Sequence, residues 1–81
     1  MKLPRDVSGA QLVKSLAKLG YRVTRQKGSH IRLTCDRPSQ HHLTIPDHDE
    51  LRIGTIAAII ADVAAHHGLS RDALIEKLFG H

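Results

Sequence analysis

The residues best suited to chemistry lie in a basic segment at positions 25–33, with the sequence Arg-Gln-Lys-Gly-Ser-His-Ile-Arg-Leu. Its one histidine, His30, follows Lys27 and precedes Arg32. An imidazole titrates near neutral pH and can give or take a proton, and the cationic groups can stabilise charge on a phosphate. The segment is therefore suited to proton transfer beside a phosphate. The alternative interpretation is that His30 is only a polar residue on a solvated sheet face.

The residues on either side of this histidine predict a β-hairpin. Gly28 tolerates the positive φ of a tight turn, and Ser29 can bond the turn backbone. The alternating residues 21–26 predict strand one, and residues 30–35 predict strand two. We expect the core-facing positions of these strands to be Tyr21, Val23, Ile31, Leu33 and Cys35. The opposite face of strand two is expected to carry His30, Arg32 and Thr34.

A third strand is predicted after a loop at residues 36–40. Residues 41–46 alternate again, and Pro46 ends the pattern. If Leu43 and Ile45 face the core, His42 and Thr44 share the open face with His30. This face is then polar, basic and histidine-bearing.

Helix one is predicted from about residue 9 to residue 19. Ser8 can act as its N-cap, Gln11 can complete a capping box, and Gly20 fits the left-handed position after its last turn. One apolar stripe, expected in the core, consists of Leu12, Val13, Leu16, Ala17 and Leu19.

Two more helices are predicted in the second half of the chain. Helix two has an apolar set at helical spacing, formed by Ile56, Ile59, Ile60, Val63 and Ala64. His66 and His67 fall in its last turn before Gly68, where capping is their expected role. Ser70 is expected to cap a short third helix whose apolar side is Leu74, Ile75, Leu78 and Phe79.

These elements predict one α+β domain spanning residues 1–81. Three strands need a buried face, so the helices should cover one side of a three-stranded antiparallel sheet and leave the other open. The expected order is α-β-β-β-α, with the extra C-terminal helix packed at the edge or offered to a partner. At 81 residues the chain is too short for the core of a large enzyme.

Charge is distributed unevenly along the chain. The net charge is +4 with histidines neutral, but residues 1–45 carry nine Lys or Arg against two acids, and residues 46–81 carry three against six. The basic half contains His30. Such asymmetry indicates a polyanion partner such as nucleic acid, or else merely a solvated positive face.

Several other classes of protein find no support in the sequence. The lone Cys35 cannot form an internal disulfide and is expected to be a small core residue. Seven histidines raise the possibility of a metal, but their spacing fits no common zinc pattern, so no metal or other cofactor is expected. No apolar run approaches a membrane span and no signal-peptide core is evident, so we expect a cytoplasmic protein without membrane contact.

Several motifs, in order and spacing, resemble the HicA-type (YcfA-like) mRNA interferase toxins. They are Gly20-Tyr21, Lys27-Gly28-Ser29-His30, Leu43-Thr44-Ile45-Pro46-Asp47-His48, Gly54-Thr55-Ile56 with Ile59-Ile60, and Gly68-Leu69-Ser70. The resemblance covers roughly residues 8–79. It implies a fold like the double-stranded-RNA-binding domain, metal-independent RNA cleavage, and inhibition by a cognate HicB-type antitoxin. It also implies that the histidine of the Gly-Ser-His motif, His30, is catalytic.

The resemblance and the residues lead to one main functional hypothesis. The protein is expected to be an RNA endonuclease toxin with His30 as general acid or base. The residues expected to bind RNA are Arg25, Lys27, Gly28, Ser29 and Arg32. Two alternatives remain open: an RNA-binding module without catalysis, and a domain whose His30 face only docks a protein.

Overall fold

The computed structural model describes residues 3–80 and contains three helices and three strands. In chain order these are α1 (Gly9–Leu16), β1 (Arg22–Lys27), β2 (His30–Cys35), β3 (His41–Pro46), α2 (Ile53–His67) and α3 (Arg71–Phe79). A single 3-10 turn, Ala17–Leu19, extends α1. The strands form one antiparallel sheet in the order β1-β2-β3. The predicted α+β class and element order are confirmed.

Helix α1 begins as its sequence predicts, and it ends at Leu16, from where the 3-10 turn continues to the predicted end at Leu19. The Gln11 amide donates to Ser8 Oγ at 3.0 Å and the Ser8 amide donates to Gln11 Oε1 at 2.8 Å, completing the capping box. Gly20 closes the helical segment in the left-handed region, with φ of 91°. The Gly9 amide donates to the carbonyl of His48 at 2.9 Å, so the start of α1 is joined to the chain just beyond β3.

The sheet buries one face under the helices, and β2 lies at its centre. Ile31, Leu33 and Cys35 are buried, whereas His30 and Arg32 are exposed, as alternation predicts. The core also includes side chains from all three helices. The largest of the fully buried ones are Leu12, Leu16, Ile56, Ile60, Leu74, Ile75 and Leu78.

The prediction that Val23 faces the core is wrong, although Tyr21 is buried as expected. Val23 pairs with Leu33 but is 51% exposed, and every residue of β1 is exposed. β1 is an edge strand, and its register shifts at a bulge between Val23 and Arg25. Alternation predicts which face a residue occupies, but not whether the helices extend over the edge of the sheet.

Helix α3 is part of the core. Its residues Leu74, Ile75 and Leu78 are buried, and Lys18 of the 3-10 turn donates to the carbonyl of Leu78 at 3.0 Å. Of the two arrangements predicted for this helix, packing against the fold is the one observed. Among residues 3–80, no single helix is long and apolar enough to cross a membrane; α2 and α3 reach that length and composition only together, with a bend of 106° between them.

A cluster of three histidines and a tyrosine, here called the histidine cluster, joins β3 to the end of α2. The Tyr21 hydroxyl lies 2.6 Å from His41 Nδ1 and 3.0 Å from His67 Nε2. His66 Nε2 donates to the carbonyl of Ser39 at 2.9 Å, and its ring stacks on that of His41 at 4.2 Å between centroids. The prediction that His66 and His67 serve as helix caps is therefore corrected: their hydrogen bonds are to residues outside the helix.

The histidine cluster makes stability dependent on pH. Burial lowers the pKa of His67, and the neighbouring His66 and His41 lower it further. At His67 the unfolded chain therefore binds more protons than the folded protein at about pH 6.5, the ordinary pKa of histidine, and somewhat below it. We expect the free energy of unfolding to decrease as the pH falls from 7 to 5, as measured by urea denaturation.

The variant His67→Gln tests the source of this pH dependence. It should show a smaller decrease in unfolding free energy over the same range, because the side chain with the lowered pKa is gone. His48→Gln is the control, since His48 is exposed and makes no side-chain hydrogen bond within residues 3–80. Equal pH dependence in the parent and His67→Gln would contradict the assignment.

Candidate nucleic-acid interface

The hairpin between β1 and β2 places His30 at the start of the central strand. Gly28 has φ of 57°, and the two-residue turn Gly28-Ser29 brings Lys27 opposite His30. On its other side His30 pairs with Pro46 of β3. The Asp47 amide donates to the Ser29 carbonyl at 2.7 Å, so the turn is also joined to the end of β3.

The His30 side chain is exposed and unengaged. Within residues 3–80 it makes no side-chain hydrogen bond, ion pair or ring contact. Its neighbours Ile31 and Leu33 anchor β2 in the core, so the backbone that carries the imidazole is fixed while the ring faces solvent. Such a side chain can engage a ligand without first breaking a contact inside the protein.

Three cations lie on the same face as this imidazole. Lys27 is directly opposite His30, and Arg25 is directly opposite Arg32 in the adjacent row. Side chains paired in this way have Cβ atoms about 4.5–5.5 Å apart. None of the three cations forms an ion pair within the described range. Like charges on paired residues repel each other. An anion bound between these cations would offset that repulsion.

The bulge in β1 is what brings Arg25 to this face. Uninterrupted alternation from Tyr21 and Val23 would place Arg25 on the core side of the sheet. The extra residue, Thr24, changes the register, so that Arg25 pairs with the exposed Arg32. The sequence analysis thus named Arg25 as a candidate without the bulge that places it on this face.

Arg22 differs from the other cations of β1. Its guanidinium forms an ion pair with Asp36 at 2.9 Å, and both side chains are more than half exposed. Its positive charge is therefore partly balanced within the protein. Arg25, Lys27 and Arg32 form no ion pair within residues 3–80, and all three lie on the face of the sheet that carries His30.

Cys35 and the histidine cluster lie at the end of the sheet opposite to His30. Cys35 is buried, and its thiol donates to the carbonyls of Arg37 and Leu19. His41 and His42 have different surroundings: His41 contacts Tyr21, whereas His42 is exposed and contacts Thr34. Within the part of the chain that the structure describes, no group of three or more His, Cys, Asp or Glu side chains is arranged to hold a metal ion.

Sequence reasoning missed a hydrogen-bonded row across the same face. The Oγ1 atoms of Thr24 and Thr34 are 2.9 Å apart, and Thr34 Oγ1 is 2.9 Å from His42 Nδ1. Thr34 is only 3% exposed, although it lies on the open side. The row depends on the bulge and on pairing across three strands, and the sequence signals for it were the expected positions of Thr34 and His42 on this face.

Comparison with known proteins gives one match. Residues 9–64 match the family described as HicA toxin of bacterial toxin-antitoxin. The matched region runs from the start of α1 through all three strands and into α2, so it includes the hairpin and His30. Curated proteins and solved structures gave no match. The chain belongs to the HicA toxin family of bacterial toxin–antitoxin systems.

Proposed function

We propose that this protein is an mRNA interferase, an RNA endonuclease that acts without a metal and is held inactive by a HicB-type antitoxin. The observation that carries the proposal is the exposed, unengaged His30 beside unpaired cations, in a chain of a toxin family. In the proposed role His30 is the general acid or base. Arg25, Lys27 and Arg32, with the backbone of Gly28 and Ser29, bind the RNA phosphates.

The proposed reaction uses the 2′-hydroxyl of RNA as the nucleophile. As a base, His30 removes the 2′-hydroxyl proton while O2′ attacks phosphorus, the bond from phosphorus to O5′ breaks, and water gives a proton to the leaving O5′. As an acid, His30 protonates the leaving O5′ while water takes the 2′-hydroxyl proton. Either role gives a 2′,3′-cyclic phosphate and a 5′-hydroxyl end. The role of the cations is to stabilise the negative charge that develops on the phosphate oxygens.

Two alternatives share this surface, and simple experiments separate them. Incubating purified protein with RNA in a chelator, followed by gel analysis, tests catalysis, since an RNA-binding module would leave the RNA intact. A binding titration then separates RNA binding from protein docking. Intact RNA with tight binding would favour the module, and absence of both would favour a protein-docking surface.

RNA affinity is expected to decrease with salt to an extent set by the number of phosphate contacts. For single-stranded nucleic acid the slope is about −0.7 per contact on a log–log plot, because each contact releases condensed counterions. Three contacts, from Arg25, Lys27 and Arg32, would give a slope of about −2. Fluorescence anisotropy at several salt concentrations measures this slope, and an affinity independent of salt would contradict RNA binding by these cations.

The antitoxin is proposed to cover His30 and to bring acidic groups to the basic face. Opposite charges accelerate encounter, and occlusion of the face is enough to exclude RNA. Replacing both Arg25 and Arg32 by Glu should therefore slow association with the antitoxin by about tenfold or more at low salt. Lys77→Glu is the control, because Lys77 is an exposed cation on α3, outside the sheet. Unchanged association of the double variant would contradict this arrangement.

A further inference from the structure

The end of the open face distant from His30 carries a second histidine in a fixed orientation. His42 of β3 pairs with Thr34 of β2, and its Nδ1 lies 2.9 Å from Thr34 Oγ1. Thr34 is buried and is also bonded to Thr24 of β1. An exposed imidazole is thus held by a buried hydroxyl, an arrangement that His30 does not have.

The hydrogen bonds of this row favour a proton on Nδ1 of His42 rather than on Nε2. Thr24 Oγ1 donates to the carbonyl of Arg32 at 3.4 Å, and a carbonyl can only accept. The Thr34 hydroxyl can then donate to Thr24 Oγ1. Thr34 Oγ1 in turn accepts a hydrogen bond from the N–H at His42 Nδ1. This assignment satisfies every bond in the row. It leaves Nε2 of the neutral ring as a free acceptor on the exposed side chain.

His42 is too far from His30 to act on the same phosphate. His30 pairs with Pro46, which is four residues from His42 along β3. At about 3.4 Å per residue the two positions are about 14 Å apart along the strand. They nevertheless share one face, with the row of Arg25, Arg32 and Thr44 between them. An RNA strand with one phosphate at His30 can continue over these cations to His42. The nucleotide at His42 is then more than one position along the RNA from the phosphate at His30.

We propose that His42 is a second RNA contact, which accepts a hydrogen bond through Nε2 from a base N–H or a ribose 2′-hydroxyl. This inference rests on the proposed function and assigns the direction in which RNA crosses the sheet. A neutral imidazole acceptor suits an N–H or O–H donor and not a phosphate, whose oxygens only accept. His42 therefore contributes selectivity, for RNA over DNA through a 2′-hydroxyl or among the bases through an N–H, in contrast to the cations around His30.

Binding measurements in a His30→Ala background test the inference without cleavage of the RNA. We expect His42→Ala to weaken binding of a short single-stranded RNA about three- to tenfold, the range for loss of one hydrogen bond. Thr34→Val should also weaken RNA binding, because it removes the hydroxyl that holds the ring of His42. Lys77→Ala, a cation of α3, is the control and should leave the affinity unchanged.

Two sets of oligonucleotides identify the donor. If it is a 2′-hydroxyl, 2′-deoxy substitution should weaken binding to the His30→Ala protein and have less effect once His42 is also Ala. If it is a base N–H, the preference among A, C, G and U oligonucleotides should decrease instead. Equal RNA affinity with and without His42 would overturn the inference and leave the proposed function standing, whereas absence of RNA binding by the His30→Ala protein would overturn both.

The proton assignment has its own readout, which does not depend on RNA. Nitrogen chemical shifts of the ¹⁵N-labelled protein, recorded at alkaline pH, should show His42 protonated at Nδ1. Protonation at Nε2 would overturn the inference, because no acceptor would then face the RNA.

Discussion

Replacement of His30 by alanine is expected to lower the rate of RNA cleavage by at least about 100-fold, the lower limit typical of general acid–base catalysis. The side chain is exposed and makes no bond within the described chain, so the free energy of unfolding should change by no more than about 0.5 kcal/mol. RNA affinity should persist, since Arg25, Lys27 and Arg32 are retained. Single-turnover cleavage, urea denaturation and RNA titration measure the three quantities.

His30→Gln is the matched variant for this experiment. Glutamine can form hydrogen bonds at the same position but cannot transfer a proton at neutral pH. It should therefore be as inactive as alanine. Cleavage by either variant at the parent rate would contradict the catalytic assignment, and unfolding of both would mean that His30 has a structural role.

Gly9→Ala is expected to destabilise the protein by about 2–3 kcal/mol, the upper range for overpacking a well-packed site. A Cβ at this position would lie 2.1 Å from the carbonyl oxygen of Pro46 and 3.1 Å from Cα of Asp47. Both obstacles are backbone atoms, so no side-chain rotation relieves the clash. Either α1 or the end of β3 must move, and Pro46 is the residue that pairs with His30. Urea denaturation measures the loss.

Gly54→Ala provides the control for this prediction. A Cβ at Gly54 would have no heavy atom within 4 Å, and the residue lies in α2, where alanine is favoured. This variant should be slightly more stable than the parent. A Gly9→Ala protein as stable as Gly54→Ala would show that the packing of α1 on β3 differs from the one described.

The parts of the fold that depend on neighbouring residues could be predicted from the sequence. The Ser8 capping box, the turn at Gly28-Ser29 and the strand at residues 41–46 all follow from local backbone chemistry and from alternation. His30 could be placed on the open face for the same reason. Alternation is a property of a single strand. Because the apolar residue Ile31 faces the core, the residue before it, His30, must face the other side.

Features that depend on distant residues or on edges could not be predicted in this way. Val23 is exposed because β1 is at the edge of the sheet, and Arg25 reaches the open face through a bulge that the alternating sequence does not reveal. The histidine cluster brings Tyr21, His41 and His67 together from three separate segments. The local sequence around His67 favoured capping, whereas in the fold its hydrogen-bond partner is Tyr21, which is distant in sequence.

The most direct test of the central claim is to identify the ends that the purified protein produces on RNA in the presence of EDTA. If His30 transfers a proton during attack by the 2′-hydroxyl, the products carry a 2′,3′-cyclic phosphate and a 5′-hydroxyl, and an RNA with a 2′-deoxy nucleotide at the cleaved position stays intact. RNA that remains whole in EDTA, or that is cut at the 2′-deoxy position, would contradict the account.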